Sequence, residues 1–402
     1  MSKRLQRNLL VGFVVLLAAG GWLVQGMARI GTGYAAKQLC SGVYVSGLPV
    51  DFILRNDIEP RRATVPIMSR FITTEVGPAS ATARCLGVAA TATYRRATGC
   101  SLHGLADSDV ARPPNRATPT PAVVMAPGLE TIIDAAFVEP EDGGRQTLAM
   151  VVMHRGQVVA ERYAEPVGAA TPLQGWSMNK SLMASFIGLQ VASGEMKLAD
   201  SVTSGLAAQG VPGAAFEGLA DEMTLKHLLS MTNGIDFSER YFPGDNVTEM
   251  LYGYAPMWTV PASQGQRHPP GSVFSYSSGD TNLVSFLWQA SLAGEPYPAW
   301  LQRKVFEPLG LHTPTLEPDV SGIQVGSSFA FLTARDWARV GQWWLDAWHG
   351  RAANLSQHWQ RLAVTPGVSE GGKNYGLTRS DQTGSVRILR PGICTSTVAW
   401  LI

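Results

Sequence analysis

The amino-acid sequence predicts an α/β protein with one large domain, preceded by an N-terminal transmembrane helix and a small extension. Three observations carry that prediction. An apolar stretch stands behind a basic cluster at the N-terminus, a proline-rich segment breaks the chain between residues 111 and 128, and a strand-turn-strand pattern then gives way to a nearly all-apolar helix.

Lys3, Arg4 and Arg7 precede an uncharged run from Asn8 to Ala28, which Arg29 closes. A bilayer-spanning helix needs about 20 apolar residues, whereas the core of a cleaved signal is roughly 7 to 15 long. Residues 1–35 are therefore expected to form a retained anchor, with a cleavable signal ending at Gly26-Met27-Ala28 as the alternative. The basic residues before the span place the rest of the chain outside the cytoplasm, in the periplasm or beyond the cell, held to the inner membrane by this helix.

Residues 36–110 alternate short apolar runs with Gly, Pro and charged breaks, the pattern of a small strand-rich or irregular extension. Four cysteines, Cys40, Cys85, Cys100 and Cys394, suit an oxidising compartment. Cys85 and Cys100 flank the strand-like run VAATATYRR and are the expected disulfide, with Cys40 able to compete for either. The segment ARPPNRATPTPAVVMAPG, residues 111–128, resists regular structure and reads as a linker, so the large domain is expected over 129–402. The chain of 402 residues is 45% hydrophobic and 16% charged, enough apolar content for a large core, and its net charge of +1 leaves no electrostatic footprint for nucleic acid. No C-x-x-C, H-E-x-x-H or close histidine pair appears, so neither a metal nor another cofactor is expected.

Within the large domain, TLAMVVMHRGQVVAERYA reads as two strands joined at Arg155-Gly156, where glycine supplies the positive φ of a tight turn. WSMNKSLMASFIGLQVASG follows as a buried helix stopped by Gly194. A lysine in the first turn of so apolar a helix is costly to desolvate unless paired or neutral. Lys180 lies three residues after Ser177, so both side chains share one helix face. Ser177 sits at the helix N-terminus, where free backbone N–H groups favour developing negative charge. A lysine so placed can take the serine proton or stabilise the alkoxide. Ser177-Met178-Asn179-Lys180 is the only Ser-x-x-Lys here, and no G-x-S-x-G is present to support an α/β-hydrolase triad.

These residues, with TLKHLLSMTNGIDFSERY (224–241), PPGSVFSYSSGDTNLVSFL (269–287), VFEPLGLHTPTLEPDVSG (305–322) and TARDWARVGQWWLDAW (333–348), resemble the serine β-lactamase and penicillin-binding-protein superfamily. Within it they are most similar to the class-C-related branch that contains 6-aminohexanoate-dimer hydrolases and esterases. The resemblance implies a β-lactamase/transpeptidase-like fold, an antiparallel sheet flanked by helices plus a mainly helical subdomain. It also implies a cofactor-free serine hydrolase that cleaves an amide or ester of a small molecule or peptide through an acyl-enzyme. Ser177 would be the nucleophile, Lys180 its partner, and Tyr276 the tyrosine of the family's Tyr-x-Asn motif, a phenol able to shuttle the proton. Ser278 replaces the asparagine, and Tyr241 resembles the loop tyrosine over the substrate amide, so these two are the expected substrate-binding residues. Asp236 and Glu239 flank that loop and read as solvated carboxylates or contacts for a substrate amine. Arg335-Asp336 and His227 read as structural.

The family pattern fades after Tyr375-Gly376-Leu377, and TRSDQTGSVRILRPGICTSTVAWLI contains neither Lys-Thr-Gly nor His-x-Gly. A frameshift or premature stop near residue 378 is the expectation, with exposed sheet edges and a missing oxyanion donor as consequences. An inactive truncated homologue, or a non-catalytic envelope-anchored penicillin-binding-like protein, is the competing reading.

Overall fold

A computed structural model describes residues 3–62, 70–103, 123, 125, 127–138, 146–312, 314–365 and 397–401, without the side chains of 3–7, 9–19, 61, 62 and 397–401. Residues Lys3–Cys40 form one continuous helix. Among the described residues no helix is long and apolar enough to cross a membrane, so the expected transmembrane element is not supported; the side chains of residues 9–19, half of that expected span, lie outside the described set. From Ala28 onward the helix contributes to the protein core: Arg29 pairs with Glu249, and Ala35, Ala36, Leu39 and Cys40 are buried.

That buried face packs on a four-stranded antiparallel sheet in the order β1-β2-β3-β4 (Thr73–Val76, Ser80–Cys85, Val88–Arg95, Gly99–Leu102). Alanines dominate the contact on both sides: Ala81, Ala83, Ala90 and Ala92 meet the helix, and side chains this small let it lie close across the sheet. The disulfide joins Cys40 to Cys100, correcting the expected Cys85–Cys100 pair. Sheet register explains the difference. Cys85 pairs with Val88 at one end of β3, whereas Cys100 pairs with Tyr94 near the other. Six residues of strand, about 20 Å, separate those positions, while the Cα atoms of Cys40 and Cys100 are 6.1 Å apart, within disulfide range. Cys85 is a buried thiol, and Cys394 lies outside the described residues.

In the large domain, β5 (Ala149–His154) and β6 (Gln157–Tyr163) form the expected hairpin, with Arg155 and Gly156 both at positive φ in the turn. β10 (Thr397–Leu401) pairs antiparallel with β5 and covers the edge opposite β6. This strand lies beyond Leu377, where an exposed sheet edge was expected, and residues 366–396 fall outside the described set. A second strip, β7-β9-β8, joins Pro172–Gln174, Ala330–Thr333 and Thr315–Leu316. Around these sheets pack the helices Met178–Ser193, Ser278–Ala290, Ala334–Trp348 and Gln357–Val364. The architecture is the α/β fold of β-lactamases and transpeptidases that the sequence implied.

Candidate active site

Strand β7 delivers the chain to Ser177. Gly175 closes the strand with its N–H on the Ala330 carbonyl at 2.8 Å, and no other residue fits there: a Cβ would lie 2.1 Å from Trp337 Cζ2. Trp176 then takes a positive φ of 45°, sparsely populated for a non-glycine residue. Strain of this kind persists where the surroundings over-determine it. The turn presents Ser177 as the cap residue of the helix Met178–Ser193, which ends at Gly194 in the left-handed region.

Lys180 is buried one turn on, and its Nζ donates to Ser177 Oγ at 3.1 Å, Ser278 Oγ at 3.0 Å and the Ser327 carbonyl at 3.1 Å. Tyr276, just before the helix Ser278–Ala290, places its hydroxyl 2.6 Å from Ser177 Oγ, and Lys180 Nζ lies 4.9 Å from the centre of its ring. Ser177, Lys180 and Tyr276 are thus brought together around one oxygen. Ser277 caps the same helix by accepting from the Asp280 N–H at 3.1 Å, which orients both Tyr276 and Ser278.

Ser278 does more than stand in for an asparagine. Its Oγ accepts from Lys180 and donates to Glu239 Oε1 at 2.7 Å, while its N–H donates to Glu239 Oε2. The Glu239 carboxylate therefore sits on the first turn of a helix, where unpaired N–H groups favour negative charge. Tyr241 donates to Glu239 Oε1 at 2.7 Å, and burial together with that carboxylate holds its phenol well above the usual tyrosine range, so it remains a donor. Tyr241 is 45% exposed, next to Phe242 at 59%, and with Trp176 beside Ser177 these give apolar side chains at the surface.

The sequence presents Glu239 as a loop carboxylate on solvent or a substrate amine; the structure puts it against Ser278. Asp236 is exposed and pairs with Arg267 at 3.3 Å. Three further residues were not expected near the site: Asn179, whose Nδ2 donates to the Val325 carbonyl at 2.7 Å, and Asn233 and Asp280, hydrogen-bonded to each other where Ser277 caps the helix. Burial pushes the Asp280 carboxyl well above its ordinary range, and the Glu239 charge adds to the shift. The Asn in Ser-x-x-Lys is a visible polar residue in an apolar helix and could have flagged Asn179; nothing local marks the others. His227 completes a capping box with Thr224, and Arg335 pairs with Glu161. Asp336 accepts from the His312 N–H and pairs with Arg339.

Solved structures with this fold include a Bacillus anthracis protein assigned as a 6-aminohexanoate-dimer hydrolase, with 19% identity over 68% of this chain and 76% of that one and a TM-score of 0.50. Another is EstCE1, a hydrolase with promiscuous acyltransferase activity, with 17% identity over 62% of this chain and 82% of that one, also at 0.50. At such identities the likeness is one of fold. The Beta-lactamase family model matches residues 133–400, a range that runs past Leu377 and takes in Ser177, Lys180 and Tyr276. With two thirds of its length so matched, the chain belongs to the Beta-lactamase family, within the serine β-lactamase and penicillin-binding-protein superfamily.

Proposed function

We propose that this protein is a serine hydrolase that cleaves an amide or ester through an acyl-enzyme formed on Ser177. One observation carries the reading: Ser177 Oγ lies within hydrogen-bonding reach of both Lys180 Nζ and the Tyr276 hydroxyl, 3.1 and 2.6 Å. Attack on a carbonyl forms the Oγ–C bond while the serine proton passes to the Tyr276/Lys180 pair. That proton then leaves with the departing amine or alcohol, and water, activated by the same pair, releases the acid. The backbone N–H of Ser177, at the helix N-terminus, supplies one donor to the developing oxyanion.

A linear amide or an ester fits better than a β-lactam, because Ser278 replaces the asparagine of the family's Tyr-x-Asn motif and its hydroxyl is committed to Lys180 and Glu239. Tyr241 and Ser278 are proposed to flank the bound substrate, and the exposed rings of Trp176, Tyr241 and Phe242 favour apolar groups on either side of the scissile bond. The Cys40–Cys100 disulfide supports work in an oxidising compartment outside the cytoplasm, to which the basic N-terminus would direct the chain.

The test is labelling of the intact chain by a fluorescent fluorophosphonate, with Ser177→Ala as control and the adduct located by peptide mass spectrometry. A single adduct on the Ser177 peptide that vanishes in the variant is expected, together with turnover of short esters or amides. A folded chain that takes no label would overturn the reading.

A further inference from the structure

We propose that the N-terminal extension is part of the hydrolytic site, and that Lys37 and Glu317 are positioning residues that fix the carbonyl on which Lys180 rests. The inference rests on the acyl-enzyme reading above.

Lys37 and Glu317, 2% and 0% exposed, form an ion pair between the N-terminal helix and the segment following β8. The extension saturates this carboxylate. Ser41, one turn beyond Lys37, stands 3.0 Å from both carboxylate oxygens and accepts from Lys37 Nζ at 2.9 Å, while the Cys100 N–H donates to Oε1 at 2.7 Å. The Cys40–Cys100 disulfide ties together the two stretches of chain that supply these groups. Gly99 admits the carboxylate, since a Cβ there would lie 2.7 Å from Glu317 Cγ.

On the other side, Glu317 closes a backbone bracket around the site. Its N–H donates to the Phe329 carbonyl at 2.8 Å, and its own carbonyl accepts from the Val325 N–H at 3.0 Å. Lys37 Nζ lies 3.9 Å from the centre of the Phe329 ring. Between those two anchor points the bracket carries the two carbonyls that hold the nucleophile helix, Val325 to Asn179 Nδ2 at 2.7 Å and Ser327 to Lys180 Nζ at 3.1 Å. The extension thus reaches the catalytic lysine through one side chain and one short loop. A buried ion pair is a poor source of stability, and an apolar pair of like volume often serves a fold as well. Registry of a loop is a use that an apolar pair does not supply.

Fluorophosphonate labelling of Lys37→Met and of the charge-free Lys37→Met/Glu317→Gln double variant tests this. The rate is measured per folded molecule over a range of probe concentrations. The double variant leaves no lone buried charge, so it keeps the test open if the single variant does not fold. A misplaced catalytic group slows reaction steeply, so the expected result is a loss of roughly tenfold or more at saturating probe, with half-saturation unchanged. A rate within about twofold of wild type in the double variant overturns the proposal, since a purely structural pair would lower only the folded fraction. Hydrogen exchange at the amides of 325–329 separates the two readings. Should the wild type take no label, the acyl-enzyme reading fails on its own; faster exchange in the double variant would still support the link, and unchanged exchange would overturn it.

Discussion

Removing the Glu239 carboxylate should weaken both the fold and the site, because one side chain holds Ser278 by two bonds and Ser278 holds Lys180. In Glu239→Ala the Ser278 N–H, in the first turn of the helix Ser278–Ala290, loses its acceptor, and the Ser278 hydroxyl loses the partner 2.7 Å away that orients it. Hydrogen bonds to a charged group contribute about 1.5 kcal/mol each at the low end, so the two together amount to about 3 kcal/mol. The Tyr241 bond to the same carboxylate is solvent-exposed and adds little. A freely rotating Ser278 hydroxyl no longer presents its lone pair to Lys180 Nζ at 3.0 Å. If about 1.4 kcal/mol of that orientation is expressed in the transition state, the reaction slows by about tenfold. Glu239→Gln keeps one acceptor without the charge and turns an amide NH2 toward the other group, and since a neutral hydrogen bond contributes about 1 kcal/mol it should recover about a third of the stability. Denaturant unfolding and ester turnover of the three proteins measure both quantities. An alanine variant within about 0.5 kcal/mol of wild type and unchanged in rate would refute this account of Ser278.

Three other outcomes follow from the same contacts. Asp280 holds its proton in the fold at pH values where the unfolded chain, with a carboxyl near the ordinary value of about 3.9, has released it; its contribution is complete below that value and is lost as pH rises through the elevated folded one. Asp280→Asn should therefore gain on wild type as pH rises above the unfolded value of about 3.9, and stability curves of the two proteins that stay parallel with rising pH would contradict the assignment. Gly175→Ala pushes a methyl into Trp337 and should lose about 1–3 kcal/mol with most of the labelling at Ser177, measured by thermal unfolding beside the probe reaction. Arg335→Met strands the Glu161 carboxylate, 13% exposed, and should cost about 3–5 kcal/mol, most of it recovered when Glu161→Gln is added; additive losses in that double-mutant cycle would mean the pair, whose Nε–Oε2 contact is 2.6 Å, does not act as a unit.

Much of the site is legible in the chain itself. Ser177 and Lys180 are three residues apart on one helix, so helical geometry alone places both side chains on one face. The Arg155-Gly156 turn and the Gly194 stop are legible for the same reason: each depends on backbone angles set within a few residues. Tyr276 could be placed only through the resemblance, since 99 residues separate it from the serine it touches. At the N-terminus the apolar run behind lysine and arginine states only that the segment avoids water; the tertiary structure shows that the helix is buried from Ala28 onward, while Trp22 and Leu23 before it are exposed.

Sequence by itself put Ser177 and Lys180 on one face of one helix and pointed to the family, because these are written in residues close together or in motifs kept in order. Tertiary structure alone decided that Cys40 rather than Cys85 reaches Cys100, that Glu239 backs Ser278, and that Lys37 meets Glu317 across 280 residues of chain. No periodicity records such meetings. A charged side chain is polar in any string of letters, and only packing, which removes water from around it, settles which partner it must find.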